Sequence, residues 1–181
     1  MAADTQEDVA TREAEVRIDT DKFLSFHLGE EEYALEILTV REIIGLMEIT
    51  PLPQTPAYVK GVINLRGKII PVIELRTRFG MDPVAYTDQT CVIVVEVGRA
   101  SSEQHFEIGI IVDSVREVLD IAASQVDAPP RFGCSVPLEY ITAIGKVRDK
   151  VVVLLNIDEI VTSAEAEKLF GTTHENDTSA Q

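Results

Sequence analysis

The chain has 181 residues, of which 45% are hydrophobic and 26% charged, a composition typical of a folded globular protein. Its formal net charge of −15 argues against nucleic-acid binding, because phosphate backbones select surfaces rich in lysine and arginine. We find neither a signal peptide nor an apolar run near the about 20 residues that span a membrane, so we expect a cytoplasmic protein without membrane insertion.

Polar segments are predicted at both ends of the chain. Residues 1–21 hold seven acidic residues against two arginines, with little that could be buried, so we expect a disordered acidic tail. Residues 171–181 are also polar and are expected to fray. Between these ends, the only long helix that we predict covers residues 158–170, where Ile160 and Val161 would dock on the body of the protein.

Short apolar segments make up the rest of the folded part. They are rich in β-branched residues and are separated by glycine, proline or charged turns, which predicts a mainly all-β fold. The predicted strands are Phe23–Leu28, Tyr33–Ile37, Ile43–Leu46, Gly61–Leu65, Ile69–Leu75, Thr90–Val97, Phe106–Val112, Glu117–Ile121, Tyr140–Ile144 and Val151–Ile157. Short helical stretches are predicted near Leu38, at Pro56–Tyr58 and at Leu75–Phe79.

An internal repeat organises these strands. The segment Leu35–Ile44 aligns with Ile110–Leu119 at an offset of 75 residues, and both contain Val-Arg-Glu. Farther on, Leu65–Ile70 aligns with Val147–Val152 at an offset of 82 residues. Two matches in the same order indicate two similar units, and closing each small sheet into a barrel would remove its exposed edges.

We therefore predict two pseudo-symmetric β-barrels, over residues 22–85 and 86–157. Each barrel is too small for a large core of its own, so we expect the two to pack side by side on a shared apolar seam. The sequence does not decide whether strands are exchanged between the barrels across that seam. Arg66-Gly67 and Arg148-Asp149 occupy equivalent hairpin turns, where glycine adopts a positive φ readily and aspartate tolerates it.

The sequence shows no constellation of catalytic residues. His27 lies in a strand, His105 in a polar loop and His174 in the C-terminal tail, and none has a cysteine or histidine at zinc-ligand spacing. Cys91 lies inside an apolar strand; Cys134, in a loop, is better placed to react, and a Cys–His pair formed by the fold stays possible. We expect no enzyme, metal or cofactor, but a protein that acts by contacting other proteins.

Several stretches resemble the CheW family of bacterial chemotaxis coupling proteins. The most specific is the pattern Pro-x-Tyr-x-x-Gly-x-x-Asn-Leu-Arg-Gly at Pro56–Gly67, within a similarity that runs from about Phe23 to Leu169. Further similar stretches are Phe23–Gly29, Tyr33–Ile37, Val40–Ile43 and Gly109–Asp113. The resemblance implies two five-stranded SH3-like barrels in an adaptor that couples transmembrane chemoreceptors to a CheA-type histidine kinase.

The resemblance also implies two binding sites. Adaptors of this family hold the regulatory domain of the kinase, and they grip the helical hairpin tip of the receptor in the cleft between the barrels, as a helix in a groove. By motif position, the receptor-binding candidates are Val40, Glu42, Gly61, Arg66, Val92, Val115 and Val118. The kinase-binding candidates are Asp127, Arg131 and Phe132. Asp127 and Arg131 stand where the family pattern leads us to expect a basic and then an acidic residue.

Structural alternatives apply to several of these candidates. A barrel interior would suit Val92, Val115 and Val118 as well as a receptor contact does. Gly61 would also suit a purely backbone role, and Phe132 a buried lid. The pair predicted from Glu42 and Arg66 is better explained by partner binding, because a partly exposed ion pair contributes only about 0–1 kcal/mol to folding.

Other functions were weighed against the chemotaxis adaptor. One is an adaptor of the same fold in a different chemosensory array, which controls pili or a second messenger. Another is a barrel that binds small molecules or oligonucleotides, which would need a basic face with aromatic side chains, whereas aromatic residues make up only 6% of the chain. An enzyme on a β-barrel scaffold is the third, and it would need convergent polar residues.

Overall fold

The computed structural model describes residues 20–98, 105–129 and 136–161. These residues form eleven strands, in chain order β1 (Thr20–Leu28), β2 (Glu31–Glu36), β3 (Val40–Gly45), β4 (Val59–Leu65), β5 (Lys68–Glu74), β6 (Cys91–Val97), β7 (Phe106–Val112), β8 (Ser114–Ala122), β9 (Val126–Asp127), β10 (Ile141–Val147) and β11 (Lys150–Leu155). Short α-helices cover Leu75–Arg78 and Ile157–Ile160, and 3-10 turns cover Ile37–Thr39, Ala123–Gln125 and Leu138–Tyr140.

The strands form two sheets, which confirms the predicted all-β class. One sheet has the order β3-β6-β7-β5-β4 and is called barrel 1; the other has the order β8-β1-β2-β11-β10-β9 and is called barrel 2. The chain after β3 returns to the far edge of barrel 1, where Thr50 and Val62 exchange two backbone hydrogen bonds of 2.9 Å. In barrel 2, the chain after β8 returns in the same way as β9, which pairs with β10.

The two repeats exchange strands, which the predicted barrel ranges 22–85 and 86–157 left open, so each sheet contains strands from both ranges. The first repeat contains β1–β5, yet its β1 and β2 pair with β8 and β11 in barrel 2. The second repeat contains β6–β11, and its β6 and β7 pair with β3 and β5 in barrel 1. The crossovers are short, three residues (Ile37–Thr39) in the first repeat and Asp113 alone in the second.

The two hairpin turns have the geometry expected from the sequence. Arg66 and Gly67 have φ values of 54° and 86°, and the equivalent Arg148 and Asp149 have values of 49° and 63°. The residues that flank each turn are paired across the hairpin, Leu65 with Lys68 and Val147 with Lys150. Each turn is therefore a two-residue hairpin turn, whose backbone twist matches that of the antiparallel strands. The repeat is therefore present in the backbone conformation as well as in the sequence.

Buried side chains form three clusters. One fills barrel 1 and contains Ile63, Ile70, Val72, Val92, Val94 and Ile111. A second fills barrel 2 and contains Phe23, Ala34, Leu119, Ile121, Ala143, Val147, Val152 and Leu154. The third cluster, called the seam, lies between the barrels and includes Leu24, Phe26 and Tyr33 from barrel 2 together with Ile93, Val95 and Ile110 from barrel 1.

Aromatic side chains reinforce the seam. Tyr33 of barrel 2 lies 5.9 Å, between ring centroids, from Phe79, and Phe79 lies 5.9 Å from Tyr140. The guanidinium of Arg78 sits 4.3 Å from the ring centroid of Tyr58 and 5.4 Å from that of Tyr140, and it donates to the backbone oxygen of Ile160 at 3.0 Å. The seam thus has both apolar and directional contacts between the barrels.

The ends of the described part differ in detail from the predictions. Strand β1 begins at Thr20, so the last two residues of the predicted tail 1–21 are β-strand. The predicted helix 158–170 is helical up to Ile160. At the start of this helix, the Asn156 side chain accepts a hydrogen bond from the Asp158 backbone amide. The remainder of the predicted helix, from residue 162, lies outside the described residues. Pro56–Tyr58 forms a turn instead of a helix. In the described part of the chain, no helix has the length and apolarity to cross a membrane.

Gly61 is expected to be required by the closure of barrel 1. Its φ is 141°, and an added Cβ would lie 2.0 Å from the backbone oxygen of Thr50. We predict that Gly61→Ala lowers the free energy of unfolding by at least about 2 kcal/mol in urea denaturation. Gly45→Ala is the matched control, because an added Cβ there meets nothing within 4 Å and should change stability by less than about 1 kcal/mol. Equal stabilities of the two variants would contradict this role.

Candidate functional site

An exposed ion pair marks the surface of barrel 1. Arg66 donates to both carboxylate oxygens of Glu42, with Nη1–Oε1 and Nη2–Oε2 distances of 3.1 and 3.0 Å. The hairpin turn presents Arg66, and the Asn64 side chain supports that turn by accepting from the Gly67 amide at 2.8 Å. The Arg66 side chain is 76% exposed, so the guanidinium keeps a free edge toward solvent. The sequence prediction that these two residues pair is confirmed.

The predicted receptor-binding valines lie in different environments. Val40 and Val115, which are equivalent in the repeat, are half-buried and both pack against the seam. Val118 is 50% exposed. Val92 is fully buried inside barrel 1, so a direct contact with a partner is excluded there. Gly61 is also buried, and its contact with Thr50 accounts for the glycine.

The sequence prediction did not name two exposed apolar residues of the first repeat, Ile43 and Leu38. Ile43 is 45% exposed and is paired with Ile93 of the seam, whereas Val118 is paired with Leu24 of the seam. Each therefore carries the apolar character of the seam to the surface. Applying the repeat offset of 75 to Val118 leads to Ile43, so the signal was present in the sequence. Leu38, in the first crossover, is 71% exposed.

The kinase-binding candidates are described only in part. Asp127 lies in β9 and forms an ion pair with Lys146 of the neighbouring strand β10, and both side chains are more than half exposed. Arg131 and Phe132 lie outside the described residues, as do Cys134 and most of the loop at 98–104. The structure thus adds Lys146 to this candidate site, because it is the basic partner of Asp127.

A second ion pair fixes the crossover between the barrels. Arg76 donates from Nε and Nη2 to the two carboxylate oxygens of Asp113, at 2.8 and 2.5 Å, and the backbone amide of Gly29 donates to the same carboxylate at 2.7 Å. Asp113 is the whole second crossover, Arg76 follows β5 of barrel 1, and Gly29 belongs to the β1–β2 turn of barrel 2. The hydrogen bond from Arg76 is the main cause that holds the pKa of Asp113 below its usual value.

A pocket of about 360 Å³ lies beside this crossover. Its charged groups have partners: Arg76 is paired with Asp113, and Glu74 accepts from the hydroxyls of Thr77 and Tyr86 at 2.7 and 2.6 Å, with the Lys60 Nζ atom 3.8 Å from its carboxylate. Burial and the bond to Glu74 raise the pKa of Tyr86, so this phenol stays protonated and holds its loop against barrel 1. Such mutual pairing leaves little charge to recognise a small ligand.

Two of the candidate reactive residues, Cys91 and His27, lie on strands in the part of the chain that the structure describes. Burial raises the pKa of Cys91, which keeps this thiol protonated at neutral pH. The Nε2 atom of His27 lies 4.0 Å from a carboxylate oxygen of Glu32, on the surface of a strand. Among residues 20–98, 105–129 and 136–161, no group of three or more His, Cys, Asp or Glu side chains is arranged to hold a metal ion.

Two small barrels that exchange strands through short crossovers define a two-barrel, all-β domain. The CheW-like domain family matches residues 22–165, and the chain belongs to this family.

Known proteins of similar sequence and structure agree with this assignment. The chain is 39% identical to the chemotaxis protein CheW of Klebsiella aerogenes over 144 residues, which cover 80% of this chain and 83% of that protein. It is 23% identical to protein FrzA of Myxococcus xanthus, over 79% of this chain and 86% of that one. The crystal structure of the scaffolding protein TtCheW from Thermoanaerobacter tengcongensis matches with a TM-score of 0.71 and 33% identity, over 80% of this chain and 90% of that chain. These names point to scaffolding in chemotaxis and away from catalysis.

The Arg76–Asp113 pair predicts a pH-dependent contribution to stability. The pKa of Asp113 is lower in the folded than in the unfolded protein, so its stabilisation is present above the unfolded pKa of about 3.9 and is lost as the pH falls through the folded pKa. We expect Asp113→Asn to lower the free energy of unfolding by about 1–3 kcal/mol at pH 7 and by much less at pH 3. Urea denaturation of both proteins at pH 7, 5 and 3 tests this; an undiminished difference at pH 3 would contradict it.

Proposed function

We propose that this protein is a non-enzymatic adaptor in the cytoplasm, which couples the hairpin tip of transmembrane chemoreceptors to the regulatory domain of a CheA-type histidine kinase in chemotaxis. Its recruitment to membrane-associated receptor arrays then follows from receptor binding. The observation that carries the proposal is the exposed, bidentate Glu42–Arg66 pair on the edge strand β3, whose opposite side carries apolar residues that extend the seam.

The ion pair is better suited to binding than to stability. Arg66 is largely exposed, and an exposed pair of this kind contributes only about 0–1 kcal/mol to folding. A bidentate pair nevertheless holds both side chains in one geometry, so a partner meets a preformed arrangement of charge and loses less entropy on binding. We call Val40, Glu42, Ile43 and Arg66 the first face; Val40 and Ile43 lie on the seam side of the edge strand β3, and Glu42 lies on its other side.

A helical partner matches the composition of the first face. Val40 and Ile43 offer apolar surface that is continuous with the seam, where side chains spaced at three and four residues on one helix face can be anchored. Glu42 and Arg66 lie across the edge strand β3 from this surface, and they can pair with charged residues of a partner that covers that edge. Gly61 and Val92 support this face through the backbone and the interior of barrel 1.

The kinase is proposed to bind barrel 2 near the Asp127–Lys146 pair, with Arg131 and Phe132 as further contacts. Asp127 is exposed on β9, the short strand at the edge of barrel 2. An aromatic residue in a proline-stiffened loop is a suitable anchor, because little entropy is lost when it docks. The order of charges, acidic at Asp127 and basic at Arg131, selects a kinase with the complementary order.

An adaptor of the same fold in another chemosensory array is the second candidate. The similarity to protein FrzA of Myxococcus xanthus, with 23% identity over 79% of this chain, supports it. Receptor and kinase contacts of the same kind would serve both systems, and identification of the kinase that co-purifies with this chain separates them.

Reversing the charge of Arg66 should abolish receptor capture. We expect Arg66→Glu to weaken binding of a soluble receptor hairpin-tip fragment at least about 30-fold by titration calorimetry, because two carboxylates, Glu42 and the new glutamate, then face each other and the basic group offered to the partner is lost. Its melting temperature should stay close to that of the unmodified protein, and its kinase affinity should be unchanged.

The double variant Glu42→Arg/Arg66→Glu separates partner contact from pairing within the chain. It restores the ion pair in reverse order. If the pair had only a structural role, the double variant would therefore regain receptor binding. We expect binding to stay lost. Full receptor binding by the folded Arg66→Glu protein would refute the proposed receptor side.

Exchanging the two kinase-side charges should change kinase selection. The double variant Asp127→Arg/Arg131→Asp keeps the net charge, and we expect about 10-fold weaker binding to the regulatory domain of the cognate kinase, since like charges then meet. Receptor binding serves as the control and should be unchanged. Equal affinity of both proteins for that kinase domain would show that these charges do not select the partner.

A further inference from the structure

An extra residue interrupts the edge strand that carries the first face. Val40 of β3 is paired with Val95 of β6, and the next pair along the strands joins Glu42 to Val94. Arg41 is therefore one residue more than the facing strand provides. Two residues of one strand that oppose one residue of its neighbour form a β-bulge, and such a bulge changes the direction in which nearby side chains point.

The bulge decides which residues share a side of β3. Side chains alternate between the two sides of a regular strand, so residues three apart lie on opposite sides. Val40 and Ile43 are three apart, yet both are paired with residues of the seam, Val95 and Ile93. Without the inserted Arg41, Val40 and Ile43 would lie on opposite sides, and the first face would lose one of its apolar residues.

Barrel 2 has the same bulge at the equivalent place. The register of β1 with β8 shifts between Leu24 and Phe26, and Ser25 lies between them. The buried Ser25 hydroxyl donates to the backbone oxygen of Glu117 at 3.0 Å and accepts from the Glu117 amide at 3.2 Å. Glu117 is the equivalent of Glu42 at the repeat offset of 75. One serine side chain therefore binds both backbone groups at this bulge.

Barrel 1 holds its bulge by a different contact. The residue that faces Glu42 is Val94, which has no hydroxyl group to bind the backbone. An ion pair is present instead, between Nη2 of Arg41 and Oε2 of Glu96, two residues beyond Val94 on β6. The other carboxylate oxygen of Glu96 lies 3.5 Å from Nδ1 of His105. Glu96 thus ties the inserted residue of β3 to the neighbouring strand.

Folding alone gives little reason for a carboxylate at Glu96. This residue is 7% exposed and follows the fully apolar run Val92–Val95. Removing a carboxylate from water is unfavourable, and apolar residues that replace a buried ion pair are often neutral for stability or even stabilising. A second carboxylate, Glu107, is paired with Glu96 across β6 and β7, and it forms an ion pair of 3.1 Å with Lys68. Selection of one conformation of β3 accounts for the charge better than stability does.

We propose that Glu96 is a positioning residue for receptor binding by the first face; this inference rests on the proposed function. By holding Arg41, Glu96 fixes the bulge of the edge strand. The bulge in turn keeps Val40 and Ile43 on one side of β3 and Glu42 on the other. Glu96 acts on the partner only through this geometry, because its own side chain is buried.

Neutralising Glu96 tests the proposal. We expect Glu96→Gln to weaken binding of the soluble receptor hairpin-tip fragment about 10-fold in titration calorimetry, because the ion pair that holds the bulge is lost. Glu107→Gln is the matched control. It removes the same charge from the residue paired with Glu96 on β7, away from the bulge, and should change the affinity less than about 2-fold.

A hydroxyl placed as in barrel 2 separates positioning from stability. The double variant Val94→Ser/Glu96→Gln puts a serine opposite Glu42, as Ser25 stands opposite Glu117. We expect its receptor affinity to return to within about 3-fold of that of the unmodified protein. Val94 is fully buried, so its replacement by serine lowers stability. Regained binding therefore cannot result from a more stable fold.

Each result supports or overturns the inference. Unchanged affinity of Glu96→Gln, together with lost binding of Arg66→Glu, would overturn it and leave the proposed function intact. Equal weakening by Glu96→Gln and Glu107→Gln would show a general effect of charge, which also overturns it, as would failure of the double variant to regain binding. Absence of hairpin binding by the unmodified protein would overturn the proposed function and the inference with it.

A second variant covers the case in which circular dichroism shows that Glu96→Gln does not fold. Arg41→Gln removes the same ion pair from its half-exposed side. We expect it to weaken receptor binding about 10-fold as well, and unchanged affinity of this variant would equally overturn the inference.

Discussion

The apolar seam is the constraint on which the rest of the structure depends. Neither barrel has a large interior, and the largest buried cluster lies between them, with aromatic contacts from Tyr33 through Phe79 to Tyr140. Because burial of apolar surface stabilises by about 25 cal/mol per Å², separating the barrels would expose the part of the core that contributes most. Val40 and Val115, one from each repeat, both pack against this seam, so the seam also fixes the position of the two repeats relative to each other.

Local features of the fold could be predicted from the sequence. Strands and hairpin turns follow from the alternation of apolar residues and from Gly67 and Asp149 at turn positions, which are properties of neighbouring residues. Membership of the barrels could not be predicted, because β1 and β2 are joined to partners that lie far along the chain, such as β8. The repeat looks the same in sequence whether its strands pair within one half or across halves.

The candidate site shows the same limit in its individual residues. The Glu42–Arg66 pair was expected from the resemblance to the CheW family, and the hairpin turn leaves Arg66 exposed. The sequence could not tell which of the candidate valines are buried and which are exposed. Strand β6 shows why, because it is buried on two sides, toward the barrel interior at Val92 and toward the seam at Ile93. A strand buried on both faces is continuously apolar and loses the alternation that separates inside from outside. Ile43 became evident only when its strand partner was known.

The strand exchange has a consequence for how such a chain is put together. Each repeat supplies two strands to one barrel and the remaining strands to the other, through crossovers of three residues and of one. A single repeat that made the same exchange with an identical copy would assemble both barrels with true twofold symmetry. The protein therefore has the architecture of a domain-swapped homodimer fused into one polypeptide. Because the two halves are no longer identical, their sequences can differ, while the exchanged strands still join the two barrels.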